Sequence, residues 1–251
     1  MKVFLTGASS GIGAAFARHY AGRGATLGLL ARREDVLRKL QSSLSVPAEI
    51  YPCDVRNLSA VKTAGANFIA RHGAPDLVIA NAGISHGTLT EFEGDVEVFR
   101  QILDINVMGI VNTFHPFISA MRARGSGSLV GIASVAGYRG LPGVGAYSAS
   151  KAAAIRYLEA LRVELRGTGV GVTTVCPGYI ATPMTEKNPY PMPFLIGADD
   201  FVRRCARAID ARKSLAVIPW QMAIVARLLA LLPNAVYDSA LSRAARKPRK
   251  A

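Results

Sequence analysis

Tyr147 and Lys151 stand four residues apart in Tyr147-Ser148-Ala149-Ser150-Lys151. On a helix that spacing sends both side chains from one face. A phenol is a poor acid at neutral pH, with an ordinary pKa near ~10. A lysine ammonium beside it favours the phenolate and brings the tyrosine towards working pH, where it can take part in proton transfer. Tyr-x-x-x-Lys also occurs on many solvated helices, so the pair gains its meaning from a second feature, the glycine-rich run Thr6-Gly7-Ala8-Ser9-Ser10-Gly11-Ile12-Gly13.

Val3-Phe4-Leu5 is a short apolar run that suits a buried parallel strand. Gly7 then permits a tight turn, while Gly11 and Gly13 let backbone approach phosphate and let a helix pack on a sheet. The apolar-periodic stretch Ile12 to Tyr20 opens a helix whose N-terminus can hold pyrophosphate. The spacing is G-x-x-x-G-x-G and differs from the G-x-G-x-x-G dinucleotide fingerprint. A glycine-rich turn without a ligand is the competing reading.

Elements able to position these groups recur along the chain. At 251 residues it can bury one substantial core, and no repeat, linker or low-complexity stretch divides it. Strands are expected at Val3–Leu5, Thr26–Leu30, Glu49–Cys53, Leu77–Ala80, Ser128–Ala133, Gly171–Cys176 and Leu215–Ile218. Helices are expected at Gly13–Arg23, Glu34–Ser43, Ala60–His72, Val96–Arg124, Ala146–Arg166 and Asp199–Ala211. This βαβ alternation argues for a parallel sheet.

Thr6 to Gly13, Asp54-Val55, Asn81-Ala82-Gly83, Asn106, Ser134, Tyr147 with Lys151, and Pro177-Gly178 with Thr182 follow one another in a familiar order. In this the chain resembles the short-chain dehydrogenase/reductase family over roughly residues 1 to 219. The resemblance implies a single α/β domain, a Rossmann-type doubly wound seven-stranded parallel sheet, with residues 220–251 appended as an apolar helix and basic tail. It also implies a nicotinamide cofactor across the carboxyl ends of the strands. Gly7, Ser9, Ser10, Gly11, Ile12 and Gly13 would hold its phosphates, Asp54 and Val55 would border the adenine, and Asn81, Ala82 and Gly83 would lie along the ribose side. Pro177, Gly178 and Ile180 would flank the nicotinamide, with Thr182 meeting its carboxamide. By the same resemblance Tyr147 is the general acid for carbonyl reduction and the base for alcohol oxidation. Lys151 lowers its pKa and bonds the nicotinamide ribose, Ser134 holds the substrate oxygen, and Asn106 holds a water in a proton relay. Asn106 could instead cap a local backbone group.

Dinucleotide folds usually carry an acid about 20 positions past the glycines to bond the ribose 2′-hydroxyl. Here that neighbourhood reads Leu29-Leu30-Ala31-Arg32-Arg33. A carboxylate would repel a 2′-phosphate, whereas an arginine fork binds it through charge-assisted bonds. NADP is therefore expected over NAD, with Arg32 as the main 2′-phosphate ligand and Ser9 and Arg33 as further candidates. The alternative for both arginines is a solvated helix start.

Other chemistries find no support. His19, His72, His86 and His115 lack ligand spacing, and Cys53, Cys176 and Cys205 form no Cys-x-x-Cys pair, so neither a metal nor a disulfide framework is expected. His86, just past Asn81-Ala82-Gly83, is a candidate border of the substrate cavity. No signal peptide precedes the first strand, so the expected location is cytoplasmic. Met184 to Ile196, with three prolines, Tyr190, Met192 and Phe194, should form a lid over the substrate. It reads equally as the wall of an apolar pocket for a hydrophobic carbonyl compound and as a variable loop.

The net charge is +13, and Arg243, Arg246, Lys247, Arg249 and Lys250 form a basic tail. Nucleic acid is set aside because no aromatic-interleaved platform or reading motif accompanies that charge. Trp220 to Leu232 is apolar on nearly every face, but 13 residues are too few to span a bilayer. It could pack over the cleft, form a subunit interface, or lie at a membrane surface with the basic tail on anionic lipid. A homodimer is expected through Val96–Arg124 and Ala146–Arg166, along Ala153, Tyr157, Ala160, Leu161 and Glu164, with a tetramer as the alternative. The other function classes open at this point are a non-catalytic NADP-binding sensor and a membrane-docked interaction protein.

Overall fold

The computed structural model describes every residue except Lys187, Arg243, Lys250 and Ala251. The first half runs β1 (Lys2–Thr6), α1 (Gly11–Ala21), β2 (Thr26–Ala31), α2 (Glu34–Ser43), β3 (Ala48–Pro52), α3 (Leu58–His72) and β4 (Leu77–Ala80). Then follow α4 (Glu93–Leu103), a π-helical turn at Asp104–Met108, α5 (Gly109–Arg124), β5 (Gly127–Ile132), α6 (Gly145–Glu164) and β6 (Val170–Pro177). The two-residue strands β7 (Ile180–Ala181) and β8 (Ile196–Gly197) precede α7 (Ala198–Asp210), β9 (Leu215–Ile218), α8 (Gln221–Leu231) and α9 (Asn234–Leu241).

Seven parallel strands lie in the order β3-β2-β1-β4-β5-β6-β9. The chain winds outward from β1 in one direction, then starts again at β4 in the other. The crevice between β1 and β4 is thus the switch point at which open α/β sheets take their ligands. The expected Rossmann-type doubly wound sheet is the observed fold.

Alternation along the strands divides the core between the two faces. Val3, Leu5, Leu27, Leu29 and Ile79 pack with Phe16, Tyr20 and Phe201 of α1 and α7. Phe4, Leu30 and Val78 pack with Phe68, Phe114, Phe117 and Leu158 of α3, α5 and α6. Phe4 meets Phe68 edge-on at 5.5 Å between ring centroids, in space that a Cβ on Gly28 would fill.

Two helix expectations change. The Val96–Arg124 helix begins earlier, at Glu93, and its middle opens into the π turn that carries Asn106. Such single-turn insertions recur at functional sites. On α6, Leu161 faces the sheet with Ala154 and Leu158, because the stripe at those spacings is the buried one. Ala153, Ala160 and Glu164 remain exposed, so only part of the expected subunit-facing path is open.

Candidate active site

The glycine turn is a backbone cradle. Gly7 and Gly11 have φ values of 67° and 53°, in the left-handed region that glycine occupies without strain. A Cβ on Gly13 would lie 2.0 Å from the Gly7 carbonyl oxygen, so no side chain fits there. Gly13 thus serves the packing of the turn and does not line the cavity itself. The Asn81 amide donates to the Thr6 and Gly7 carbonyls at 3.2 Å each, and its backbone N–H donates to the Thr6 hydroxyl. These bonds lace the ends of β1 and β4 together. Ser10 makes no side-chain cap to α1, and no acid stands in the first turn. The free N–H groups and positive dipole end of α1 therefore suit an anion such as pyrophosphate.

A cavity of about 440 Å³ opens at the carboxyl ends of the central strands. Of the expected cofactor and catalytic residues, it gathers all but Gly13 and Asn106 along one wall or another. At its far end Ser9, Arg32 and Arg33 meet just past β2, and Arg33 donates to the Ser9 hydroxyl at 3.1 Å. Burial pushes the Asp54 carboxyl up, but bonds from Arg56 outweigh it and hold the group below its ordinary range. No acid stands at the end of β2, so the end that would take an adenosine ribose is cationic beside that already paired carboxylate.

At the other end Ser134, Tyr147 and Lys151 converge. Ser134 follows β5 and accepts a bond from the Ala136 N–H, which fixes its side chain at the strand terminus. Lys151 is buried on the inner face of α6, donates to the Ile132 carbonyl at 2.8 Å and lies 5.7 Å from the centre of the Tyr147 ring. Burial lowers its pKa to about 8. The expectation that the lysine draws Tyr147 downward meets a stronger opposing effect. Burial raises the Tyr147 pKa, and the bond with the Ser134 hydroxyl only partly offsets the rise. Cys176 at the end of β6 lies beneath this group, a neutral thiol that burial pushes up to about 12. The strand-like setting marked Cys176 as buried but not as a neighbour of Lys151.

Asn106 is fully buried in the π turn. Its amide donates to the Ile84 carbonyl and the Ser150 hydroxyl at 3.0 Å each, and its carbonyl accepts from the Ile84 N–H at 2.9 Å. Both side-chain donors are used, so the side chain braces the loop after β4 against α6. These bonds are those of the backbone-capping alternative for Asn106.

The Met184–Ile196 segment arches from β7 to β8, whose pairing brings its two ends together. Met184 and Thr185 line the cavity, and Tyr190 packs on Tyr179 at 6.3 Å. His86 does not line the cavity. One face of α8 covers the mouth: Met222 and Ala226 are buried, and a Cβ on Gly178 would strike Met222 at 2.6 Å. The opposite face leaves Trp220, Ile224, Leu228 and Leu231 exposed, Leu231 to 81%. Arg139, from the loop after β5, bonds the Ala230 and Leu232 carbonyls and lies over the Tyr237 ring. Among the described residues no single helix is long and apolar enough to cross a membrane, and α8 and α9 meet at a 117° bend. Part of the basic tail is bonded to the body of the chain, while Arg246 is exposed. Lys247 and Arg249 dock on the chain, while Arg243 and Lys250 lie outside the described residues.

The sequence pattern of short chain dehydrogenases matches residues 1–191. The chain belongs to that family. It is therefore an oxidoreductase of the kind that acts on CH–OH and C=O groups with a nicotinamide cofactor. It is 39% identical over 242 residues to an uncharacterized oxidoreductase of Myxococcus xanthus, covering 95% of each chain. A short-chain dehydrogenase/reductase of Burkholderia phymatum in complex with NAD superposes with a TM-score of 0.83 at 25% identity, over 100% of this chain and 96% of that one. An alcohol dehydrogenase of Thermococcus sibiricus complexed with 5-hydroxy-NADP superposes at 0.74 and 25% identity, over 86% and 94%.

Proposed function

We propose that this short-chain dehydrogenase is an NADP(H)-dependent enzyme that interconverts a carbonyl and an alcohol on a hydrophobic small molecule. Supporting the cofactor choice, Arg32, Arg33 and Ser9 stand together where an acid would serve NAD. A 2′-phosphate there would accept charge-assisted bonds and replace no existing ion pair of Arg32 or Arg33 among the described residues. Ser10, Gly11 and Ile12 would hold the pyrophosphate, Asp54 and Val55 would border the adenine, and Pro177, Gly178, Ile180 and Thr182 would bound the nicotinamide end.

In carbonyl reduction the substrate oxygen lies between the Ser134 and Tyr147 hydroxyls. A nicotinamide held here would supply the hydride for the carbonyl carbon. Tyr147 gives its proton to the oxygen as negative charge develops there, and Ser134 donates a hydrogen bond to the same charge. Lys151, charged below its pKa of about 8, offsets the phenolate left behind. The reverse steps oxidise an alcohol. Burial raises the Tyr147 pKa, so the hydroxyl holds its proton at neutral pH and its transfer depends on the Lys151 charge that supports the phenolate.

The observation that carries this reading is the convergence of Ser134, Tyr147 and Lys151 on the wall shared with the glycine cradle. Tyr147→Phe preserves the ring and removes the proton donor, so turnover should fall by ~10²–10⁴-fold while NADPH binding stays. A panel of ketones, aldehydes and secondary alcohols, followed by nicotinamide absorbance, measures it. Near-wild-type turnover by the variant would overturn the mechanism, and a wild type that binds NADPH but turns over nothing would favour a sensor.

We further propose a cytoplasmic homodimer built through residues 96–124 and the exposed small residues of α6. Light scattering of the full chain should give twice the monomer mass, and a monomer would reject it. The exposed row Trp220, Ile224, Leu228 and Leu231 supports a peripheral contact with membranes through α8. Cosedimentation with anionic vesicles should be lost on Trp220→Ser with Leu228→Ser, and unchanged cosedimentation would reject that contact.

A further inference from the structure

Residues 246–249 pack on the loops beside the cleft, in a channel prepared by glycines. A Cβ on Gly87 would lie 2.2 Å from the Lys247 carbonyl oxygen, and one on Gly143 would lie 2.9 Å from the Arg246 Cβ. The Gly87 N–H donates to the Pro248 carbonyl at 3.0 Å, and Gly87 bridges Arg249 in parallel. On the other side Thr88 bridges Val144, so the tail adds to an existing pair of loops. Both loops border the active site, since they follow β4 and precede α6.

The tail's two docked cations are treated differently. Arg249 donates to the buried Asp95 carboxylate at 2.7 Å, and its guanidinium lies 3.5 Å over the Phe92 ring. Asp95 also accepts from the Leu89 N–H. Arg249 therefore has its counter-charge and acts as an anchor. Lys247, two residues earlier, is partly buried and donates to the Ser85 hydroxyl at 3.2 Å and the Met184 carbonyl at 3.4 Å. Among the described residues no carboxylate lies within ion-pair distance of it. Burial accordingly lowers its pKa, with no acid nearby to oppose the shift.

Its position is informative. Met184 and Ile84, the neighbour of Ser85, both line the cavity. The ammonium therefore spans the two lips of the substrate end, and two of its three N–H donors are used among the described residues. A partly desolvated cation held by neutral acceptors, with no carboxylate beside it among the described residues, is a favourable partner for an anionic group that comes within reach.

We propose that Lys247 is a specificity residue that binds an anionic group, a carboxylate in its simplest form, at the end of the substrate remote from the reacting carbonyl. The substrate class is then an oxo acid with an apolar chain. The chain would lie between the cavity walls and the carboxylate would meet Lys247 at the rim, held in place by the Arg249–Asp95 anchor. This rests on the carbonyl-reductase reading, which fixes the other end of the substrate.

The test uses straight-chain oxo acids of increasing length and their methyl esters. Binding to the full-length enzyme with NADPH is followed by equilibrium titration, and turnover is measured separately. At one chain length the acid should bind roughly tenfold or more tightly than its ester, the effect of one charge-assisted contact. Lys247→Gln should erase that preference while ester binding and NADPH affinity stay unchanged, and Lys247→Arg should retain most of it. Equal binding of acids and esters by the wild type, or an unchanged preference in Lys247→Gln, overturns the proposal. Ester turnover by the wild type tests the reductase reading on its own, because the ester engages no charge on Lys247.

Discussion

The two ends of the cavity are assembled by different means. At the phosphate end the contacts come from backbone groups within one turn, Thr6 to Gly13, braced by Asn81 across the neighbouring strand. Around the substrate end the surroundings are held by side chains far apart in sequence, with Lys247 reaching Ser85 across 162 positions and Arg139 reaching Asn234 across 95. A turn made of backbone permits few alternatives, because steric exclusion at Gly7 and Gly13 fixes its shape. An end made of side chains on loops can change its ligand with one substitution and leave the sheet alone.

Gly13→Ala attacks the first end at its tightest point, 2.0 Å from the Gly7 carbonyl oxygen. NADPH affinity should fall on the order of a hundredfold, the about 3 kcal/mol at the upper end of overpacking costs. Fluorescence titration measures the loss, and unchanged affinity would mean that the turn adapts freely.

The next largest effect is a pH dependence. Lys151 carries its charge below about pH 8, because burial has lowered its pKa from the ordinary lysine value. As pH rises through that value the ammonium is lost and the phenolate left on Tyr147 loses its support. kcat/KM for carbonyl reduction should therefore fall above about pH 8, by up to tenfold per unit. The same shift has a stability consequence of known sign. Between about pH 8 and the higher unfolded-state pKa the unfolded chain holds more protons, so this group makes folding more favourable as pH rises. A rate profile flat well beyond pH 8 would show that Lys151 keeps its proton in the working enzyme.

Arg32→Ala separates the cofactors. The lost charged hydrogen bond contributes ~1.5–3 kcal/mol, so NADPH binding should weaken tenfold or more while NADH binding changes little. Equal losses would remove Arg32 from 2′-phosphate recognition. The smallest effect is expected at the opposite end. Arg249→Ala leaves the buried Asp95 without its cation, and the melting temperature should fall by a few degrees with NADPH affinity intact. A parallel loss of cofactor binding would show that the two ends are not separable.

Much of this division was legible in the residues. The strands Leu77–Ala80 and Leu215–Ile218 and the helix Glu34–Ser43 fall where their patterns place them, because period and punctuation are local signals. The glycine turn and the Tyr147–Lys151 pair were equally visible, since each lies within one element and its function requires fixed spacing. Local spacing could not show that Asn106 sits in a π turn with its donors spent on Ile84 and Ser150, because that turn follows from contacts with another loop. Nor could it show that Leu161 turns inward.

The tail illustrates the boundary most clearly. As a string, Arg246, Lys247 and Arg249 are three cations in a basic run, whose composition does not say whether solvent, lipid or the chain itself receives them. Only the fold brings Asp95 to one of them and two neutral acceptors to another, and only the fold aligns Gly87 and Gly143 into the channel they occupy. The sequence by itself determined the strands, the cradle and the reacting pair, because those depend on residues a few positions apart, while the order of the strands in the sheet rests on pairings between distant parts of the chain. The tertiary structure decided which charges are neutralised, because a counter-charge from a distant part of the chain arrives only once the backbone has closed.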